Sequence, residues 1–457
     1  MGTQEVNLPL SPAALLQRCA GQPYVFLLDG SGPVSWGSGD AMLAFGPSAT
    51  LRVAADGTAV MSDGRAHRWR GDPFALLDRF CTPTPASAGA APHPDVPVGG
   101  GVIVALSYEL RRWVERLPAR HPVAPTTPVL YAARYDWVLS YAYATGRYRV
   151  AASAATVELG AVVERLRRLA DTPVPAAATG RGRMRADMPR ADYRAAVRRA
   201  LAYIAAGDVY QVNLAQRFSI LDAPPSATVF ARLQRRHPMP FAAYVDGGDF
   251  VLVSNSPECF LRRRGAQVAT FPIKGTRPRG DTAAADAALR AELRTSAKEQ
   301  AEHVMIVDLE RNDLGRVCRT GTVTVPELAV ARTFPSVHHL VSDVRGELRA
   351  GTSTGGLLRA TFPGGSVTGA PKIRAMEIID ELEPVARGFY TGAVGFVAAG
   401  TGDLVLNLAI RTGVATTEGF TYHAGGGIVA DSDPECEYEE TLVKSRAFLA
   451  ALDPEER

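Results

Sequence analysis

Two pairs of carboxylates stand at helical spacing in the second half of the chain: Glu299 with Glu302, and Glu437 with Glu440. Side chains three residues apart share a helix face. Asp433-Pro434 offers an N-cap and a first-turn proline, which puts the second pair about one turn into its helix. Two such faces meeting would gather four carboxylates. The chain has eight histidines and no cysteine cluster, so the ion suited to such a set is hard and oxygen-loving, Mg²⁺ first. Glutamates on helices are more often solvated, however. Ser296-Ala297-Lys298-Glu299 also reads as a capping box, which accounts for Glu299 without a metal.

Lysine is scarce. Of 50 basic residues only Lys274, Lys298, Lys372 and Lys444 are lysine. Arginine stays protonated in a protein, whereas a desolvated lysine can lose its proton and act as a nucleophile or base. Lys274 follows Phe271-Pro272-Ile273 at the expected end of an apolar strand and precedes Gly275. Those neighbours could desolvate its amine; the ordinary alternative is an exposed strand-end lysine. Glu258, in Ser256-Pro257-Glu258, closes another expected strand and could be a general acid if burial raises its pKa. Otherwise it is a loop glutamate. Gly425-Gly426-Gly427 lets backbone amides approach an anion closely, or simply forms a tight turn. Lys444 lies four residues after Glu440, either in an ion pair with it or as a cation aimed at a substrate carboxylate.

The elements that must carry these residues alternate between helical and strand-like patterns. Helices are expected at Thr156 to Leu169, Ala191 to Ala206, Ala297 to Leu314, Pro371 to Leu382 and Pro434 to Leu452. Strands are expected at Tyr24 to Leu28, Gly101 to Leu106, Pro128 to Tyr143, Val209 to Ile220, Ala242 to Asp246, Phe250 to Ser254, Val268 to Pro272, Gly392 to Ala398, Leu404 to Thr412 and Thr421 to His423. No strict βαβ rhythm is present, which favours α+β with antiparallel sheets. Residues 82–100 are rich in Pro, Ala and Gly and read as a mobile loop. A second such stretch, 172–190, divides an N-terminal region, 1–171, from a C-terminal domain, 191–453.

The totals narrow the function classes. Fifty basic and 47 acidic residues give a net charge of +3, too balanced for a nucleic-acid or membrane-surface protein. The longest apolar runs, such as Gly101 to Ser107, fall far short of the ~18 residues of a membrane span. Five scattered cysteines and the absence of a leader-like start fit a reducing cytoplasm.

The C-terminal part resembles the chorismate-utilising enzymes. These are the large subunits of anthranilate and aminodeoxychorismate synthases, with isochorismate and salicylate synthases as relatives. The matching strings include GDVYQVNLAQRF (207–218), SNSPE (254–258), PIKGTRPR (272–279), SAKEQAEHVMIVDLERNDLGRV (296–317), FPSVHHLVS (334–342), FPGGSVTGAPKIRAMEIIDELEP (362–384), FYTGAVG (389–395), LAIRT (408–412) and HAGGGIVADSDPECEYEET (423–441). The resemblance implies one large α+β fold of packed antiparallel sheets with flanking helices, and the N-terminal region folded against it. It implies Mg²⁺ bridging a substrate carboxylate to Glu302 and Glu440, supported by Glu299 and Glu437. Arg411, Tyr390, Lys444 and the backbone of Gly425, Gly426 and Gly427 would hold the substrate carboxylates. Thr368 and His339 would line the ring.

Two positions bear on the reaction within the family. Isochorismate and salicylate enzymes place a water-activating lysine where this chain has Gln211, so water addition is not expected. Anthranilate synthases typically read PIAGT where this chain reads PIKGT, and the lysine marks aminodeoxychorismate synthases. On that pattern neutral Lys274 attacks C2 of chorismate, Glu258 protonates the departing C4 hydroxyl, and ammonia adds at C4. The chain has no G-x-C-x-G cysteine elbow, so ammonia is expected from a separate glutamine amidotransferase subunit. On the same pattern no lyase segment is expected after residue 452, so the step to 4-aminobenzoate would fall to another enzyme. Relatives carry an LLES-like tryptophan-pocket motif where this chain has Leu27-Leu28-Asp29-Gly30, and the departure at Asp29-Gly30 leaves tryptophan binding unsupported. Lys298 and Lys372 fall inside family motifs without an assigned role.

Overall fold

A computed structural model describes residues 2–30, 40–82, 100–153, 157–174, 182–334, 337–398 and 401–453. Almost all of the loop expected at 82–100 lies outside the described residues. Among them the strands form two twelve-stranded sheets, and every strand pair is antiparallel. Helices flank these sheets, as the α+β reading expects.

Each sheet takes strands from both sides of residues 172–190. In the first, the N-terminal strand Phe26–Asp29 pairs with Phe241–Asp246. In the second, Gly101–Leu106 pairs with Ala393–Ala398. The stretch expected as a linker itself carries a strand, Arg183–Ala186, which pairs with Gln211–Leu221. The core crosses the same divide. Tyr131 meets Phe250 edge-on at 5.3 Å between ring centroids, and Phe250 packs on Phe389 at 4.7 Å. These rings are buried, and each such side chain contributes roughly 1.5–3 kcal/mol by leaving water.

Several helices follow their sequence signals closely. Pro434–Leu452 starts on Asp433, whose carboxylate accepts from the Glu435 and Cys436 amides, with proline in the first turn. Ala297–Gly315 starts on Ser296, whose hydroxyl accepts from the Glu299 amide. The reciprocal half of that capping box is replaced. Glu299 Oε1 accepts from Arg277 Nη1 at 3.3 Å.

Three expectations around the candidate site need correction. The run 268–272 is broken into Gln267–Thr270 and a new strand, Ile273–Pro278, so Lys274 lies inside a strand rather than at the end of one. Both pair with Val337–Glu347, and Gly275 makes a bulge there with φ +67°. The run 404–412 stops at Leu408, and a separate strand begins at Thr412. Arg411 sits between them with φ +50°, which takes it out of the strand. Finally, Gly425–Gly427 is no turn but the interior of strand Gly419–Ile428, opposite Asn213 to Ala215. A Cβ on Gly425 would come within 2.3 Å of the Leu214 carbonyl oxygen, so only glycine fits.

A buried ion network fixes the segments around this sheet. Arg387 Nη2 pairs with Glu383 Oε1 at 2.6 Å, and both are almost fully buried. Arg387 also donates to the carbonyls of Val367 and Asn213 and packs over the Tyr108 ring. Nearby, Arg111 pairs with Asp380 at 2.6 Å, tying the N-terminal region to the helix Lys372–Leu382. Replacing Arg387 with Ala strands Glu383 as a buried, unpaired charge. We expect a loss of about 3–5 kcal/mol in urea unfolding; an unchanged midpoint would contradict this role.

Candidate active site

Lys274 and Glu258 are brought together by Ser366. The lysine Nζ donates to the Ser366 carbonyl at 3.1 Å, and the Ser366 hydroxyl donates to Glu258 Oε1 at 2.7 Å. Asn213 Nδ2 donates to the same carbonyl at 3.0 Å. Ser366 lies in the short 3₁₀ turn Gly365–Val367, which Arg387 holds through Val367.

The two groups are shifted in the directions that acid and nucleophile need. Burial raises the Glu258 carboxyl to about 7, while the Ser366 hydroxyl and the Lys274 charge oppose the rise. Desolvation lowers the Lys274 ammonium below its ordinary value, although the carboxylates of Glu302 and Glu258 pull the other way. A lysine shifted toward its neutral form and a carboxyl shifted toward its acid form are suited to attack and to protonation respectively.

The four helical glutamates form one electrostatic set. Burial lifts Glu302, and Glu299 and Glu440 add to the effect. Burial also lifts Glu437, which accepts from the Ser432 hydroxyl at 2.6 Å, and Glu440 again pushes the same way. Gly426 leaves room for two of them. A Cβ there would lie 2.9 Å from Glu437 Oε2 and 3.2 Å from Glu440 Oε1. Among the described residues no three His, Cys, Asp or Glu side chains converge closely enough to enclose an ion. The donor set fits an open site, in which Mg²⁺ keeps waters and takes one or two carboxylates beside a substrate oxygen.

Arg411 is half-buried and pairs with no carboxylate among the described residues; burial lowers its pKa. Lys444 is different: it pairs with Glu440 at 2.6 Å and donates to the Gly425 carbonyl at 2.9 Å. The i,i+4 ion pair is therefore made, and the amine is not free. Tyr390 is buried and stacks on His423 at 5.1 Å. The Thr368 hydroxyl donates to the Gly364 carbonyl at 3.0 Å and so fixes the turn that carries Ser366.

His339 and Gln211 offer buried polar atoms without protein partners. His339 Nδ1 lies 3.0 Å from the Thr276 hydroxyl, which can donate or accept, and 3.2 Å from the Gly275 carbonyl, an acceptor only, so a proton on Nδ1 suits both contacts. Nε2 is left as a buried, unpartnered acceptor, and burial holds the ring neutral with a pKa of about 3. Gln211 is fully buried with both amide atoms unpartnered, and its Nε2 occupies the space a Cβ on Gly427 would take.

Sequence reasoning passed over Ser366, Asn213, Arg387 and Glu383. Ser366 stands inside FPGGSVTGAP and Asn213 inside YQVNL, so their strings were visible although their contacts were not. Lys372 now has a structural role. It pairs with Asp313 and donates to the Pro363 carbonyl, joining two helices beneath the Ser366 turn. Lys298 is exposed, and its charge acts on Glu302 and Glu437. Asp29 is buried and accepts from the Tyr143 hydroxyl. No helix among the described residues is long and apolar enough to cross a membrane.

A lysine and a buried acid on one turn, a set of four glutamates and an arginine without a carboxylate partner thus lie among these antiparallel sheets. Residues 24–450 match the family model described as chorismate binding enzyme, and the chain belongs to that family. It is 38% identical to aminodeoxychorismate synthase component 1 of Klebsiella aerogenes, over 98% of each chain. It is 44% identical to anthranilate synthase component 1 of Thermus thermophilus, over 79% of each. The structure of anthranilate synthase component I from Streptococcus pneumoniae superposes with a TM-score of 0.79 at 28% identity, covering 96% of this chain and 97% of that one. The Escherichia coli menaquinone-specific isochorismate synthase, at 17% identity and a TM-score of 0.71, covers 99% of this chain and 94% of its own and shares the fold.

The raised Glu258 carboxyl has a consequence for stability. The native chain holds this proton more tightly than the unfolded chain, so stability falls as pH rises from about 4.5 to about 7. Glu258→Gln removes that contribution, on the order of 3 kcal/mol. Urea unfolding at pH 5 and pH 7.5 should show a smaller difference for the variant than for the wild type. Equal differences would mean that Glu258 is not buried as an acid.

Proposed function

We propose that this chain is an aminodeoxychorismate synthase component I. It would convert chorismate and ammonia to 4-amino-4-deoxychorismate, the precursor of 4-aminobenzoate and folate. The observation that carries the reading is the Lys274–Ser366–Glu258 arrangement, in which a depressed lysine and a raised carboxylic acid meet on one turn. Arginine at 274 could not supply the neutral amine.

Lys274 Nζ attacks C2, forming a C–N bond as the two conjugated ring double bonds each shift by one position and the C4–O bond breaks. Glu258 gives its proton to that oxygen, which leaves as water. Ammonia then attacks C4, both double bonds shift back, the C2–N bond breaks, and Lys274 leaves as a neutral amine. The product carries an ammonium at C4, so each turnover leaves Glu258 one proton short. Arg411 binds a substrate carboxylate, with Tyr390 beside it and the backbone of Gly425–Gly427 close by. Lys444 would join them only by giving up its pair with Glu440. Neutral His339 presents Nε2 as an acceptor to a substrate hydroxyl, and Gln211 presents its amide; Thr368 holds the turn beneath the ring. Glu302 and Glu440, backed by Glu299 and Glu437, would hold Mg²⁺, which when bound supplies a positive anchor for the ring carboxylate.

The relatives named as component 1 support a separate glutaminase subunit as the ammonia source. The balanced charge suits a cytoplasmic enzyme. A second reading, anthranilate synthase component I, is favoured by the 44% identity to the Thermus thermophilus enzyme. Chorismate, MgCl₂ and ammonium at pH 8 separate the two. We expect an amino-chorismate that an added lyase converts to 4-aminobenzoate. Fluorescent anthranilate with released pyruvate would establish the second reading instead. Lys274→Ala and Lys274→Arg should each lose at least about 100-fold in amination rate; wild-type rates would remove Lys274 from bond making. Removal of Mg²⁺ with EDTA should abolish turnover, and re-addition should restore it.

A further inference from the structure

Ser366 is buried beside Glu258, and among the described residues its hydroxyl has one acceptor, Glu258 Oε1 at 2.7 Å. A carboxylic acid accepts through its carbonyl oxygen and donates through its hydroxyl oxygen. With the Ser366 hydrogen on Oε1, the proton of the acid sits on Oε2. The reverse arrangement, with Glu258 donating to Ser366 Oγ, would leave the buried Ser366 hydrogen without an acceptor and keep the acid's proton from the substrate. Other bonds already fix the backbone of both residues. The Glu258 amide donates to Ser256 Oγ at 3.2 Å, and the Glu258 carbonyl accepts from the Leu408 amide at 3.0 Å. Arg387 holds the Ser366 turn through the Val367 carbonyl, and Thr368 holds it through Gly364. The hydroxyl therefore gives the Glu258 carboxyl something the fold does not otherwise supply.

We infer that Ser366 is a positioning residue for the acid step: its hydroxyl keeps the Glu258 proton on Oε2 and stabilises the carboxylate as that proton leaves. The inference rests on the proposed reaction. The O–H bond at Glu258 Oε2 breaks, the proton passes to the departing C4 oxygen, and negative charge spreads onto Oε1. A hydrogen bond to a charged oxygen is shorter and stronger than one to a neutral carbonyl. The stabilisation from Ser366 thus grows along the reaction, which is the condition for speeding a step rather than tightening binding. Ser366 acts through Glu258, and its own O–H bond stays intact.

The other groups around Glu258 do not do this. Burial opposes its charged form, while the Lys274 charge and the Ile273 backbone amide favour it. Glu310, on helix Ala297–Gly315, and Glu258 repel each other as anions, so Glu310 gives the carboxylate no support. The Cys259 thiol, pushed up to about 12 by burial, stays neutral. Among the described residues Ser366 is the one side-chain hydroxyl that donates to the Glu258 carboxyl.

Ser366→Ala removes the hydroxyl and keeps the backbone carbonyl that takes Lys274 and Asn213. Infrared difference spectra across a pH titration follow the protonated Glu258 carboxyl, and Glu258→Gln identifies its band. In Ser366→Ala we expect the midpoint of that band to rise by about one pH unit, because a donor to the charged form is lost. Loosened packing alone would admit water and lower it. With chorismate, Mg²⁺ and ammonia, kcat and kcat/KM should fall together by about 10-fold, with KM within about twofold of the wild type. An unmoved or lowered midpoint, or amination at the wild-type rate, would overturn the inference. Should Ser366→Ala fail to fold by circular dichroism, Ser366→Cys, a weak donor, carries the test, with smaller changes expected in the same directions. A wild-type chain that binds chorismate without aminating it defeats the proposed reaction itself. A wild-type chain that aminates, beside a Ser366→Ala variant with the same kcat, defeats this inference alone.

Discussion

Ser366 is held from two directions, and the placement of Lys274 and Glu258 depends on that constraint. Its carbonyl takes Lys274 and Asn213, and its hydroxyl feeds Glu258. The turn that carries it cannot drift, because Arg387 grips Val367 and is itself locked by Glu383 in a buried pair. Lys372 and Thr368 secure the same turn from below. Three backbone carbonyls and two buried ion pairs thus serve to place one serine. Buried pairs of this kind contribute little net stability compared with apolar replacements, but breaking one is costly. Their value here lies in fixing where the turn sits.

Burial decides the protonation states. At Lys274 two carboxylates favour the charged form, yet desolvation outweighs them and the pKa falls. At Glu258 the lysine and a hydroxyl favour the anion, yet desolvation again prevails and the carboxyl rises to about 7. A surface pair of the same residues would settle as ammonium and carboxylate, with neither able to act. The contrast is within the molecule. Lys444 and Glu440 are each nearly half exposed, and they form an ordinary ion pair. For such a pair solvent screening keeps the interaction small.

Much of this was legible in the sequence, for identifiable reasons. The carboxylate helices announce themselves by spacing and by caps, and both Asp433 and Ser296 cap as expected. Lys274 stood out because lysine is scarce. Single-residue geometry was less legible. A bulge at Gly275 depends on the partner strand, so Lys274 was placed at a strand end rather than within one. Three consecutive glycines look like a turn until the facing strand shows that a side chain on Gly425 would strike the Leu214 carbonyl. Ser366, Arg387 and Glu383 act through contacts with segments distant in the sequence, including Asn213 and Glu258, and no local pattern encodes those. Glu310 looks like one more helical glutamate, and only the packing of its helix reveals it as buried.

The central claim is that Lys274 forms a bond to the substrate while Glu258 releases water. Intact-mass and peptide mass spectrometry of the enzyme with chorismate and Mg²⁺, quenched without ammonia, tests it most directly. The account predicts an adduct on Lys274 with the mass of chorismate less one water, discharged when ammonia is added. An unmodified chain, in a preparation that aminates chorismate once ammonia is supplied, would contradict it.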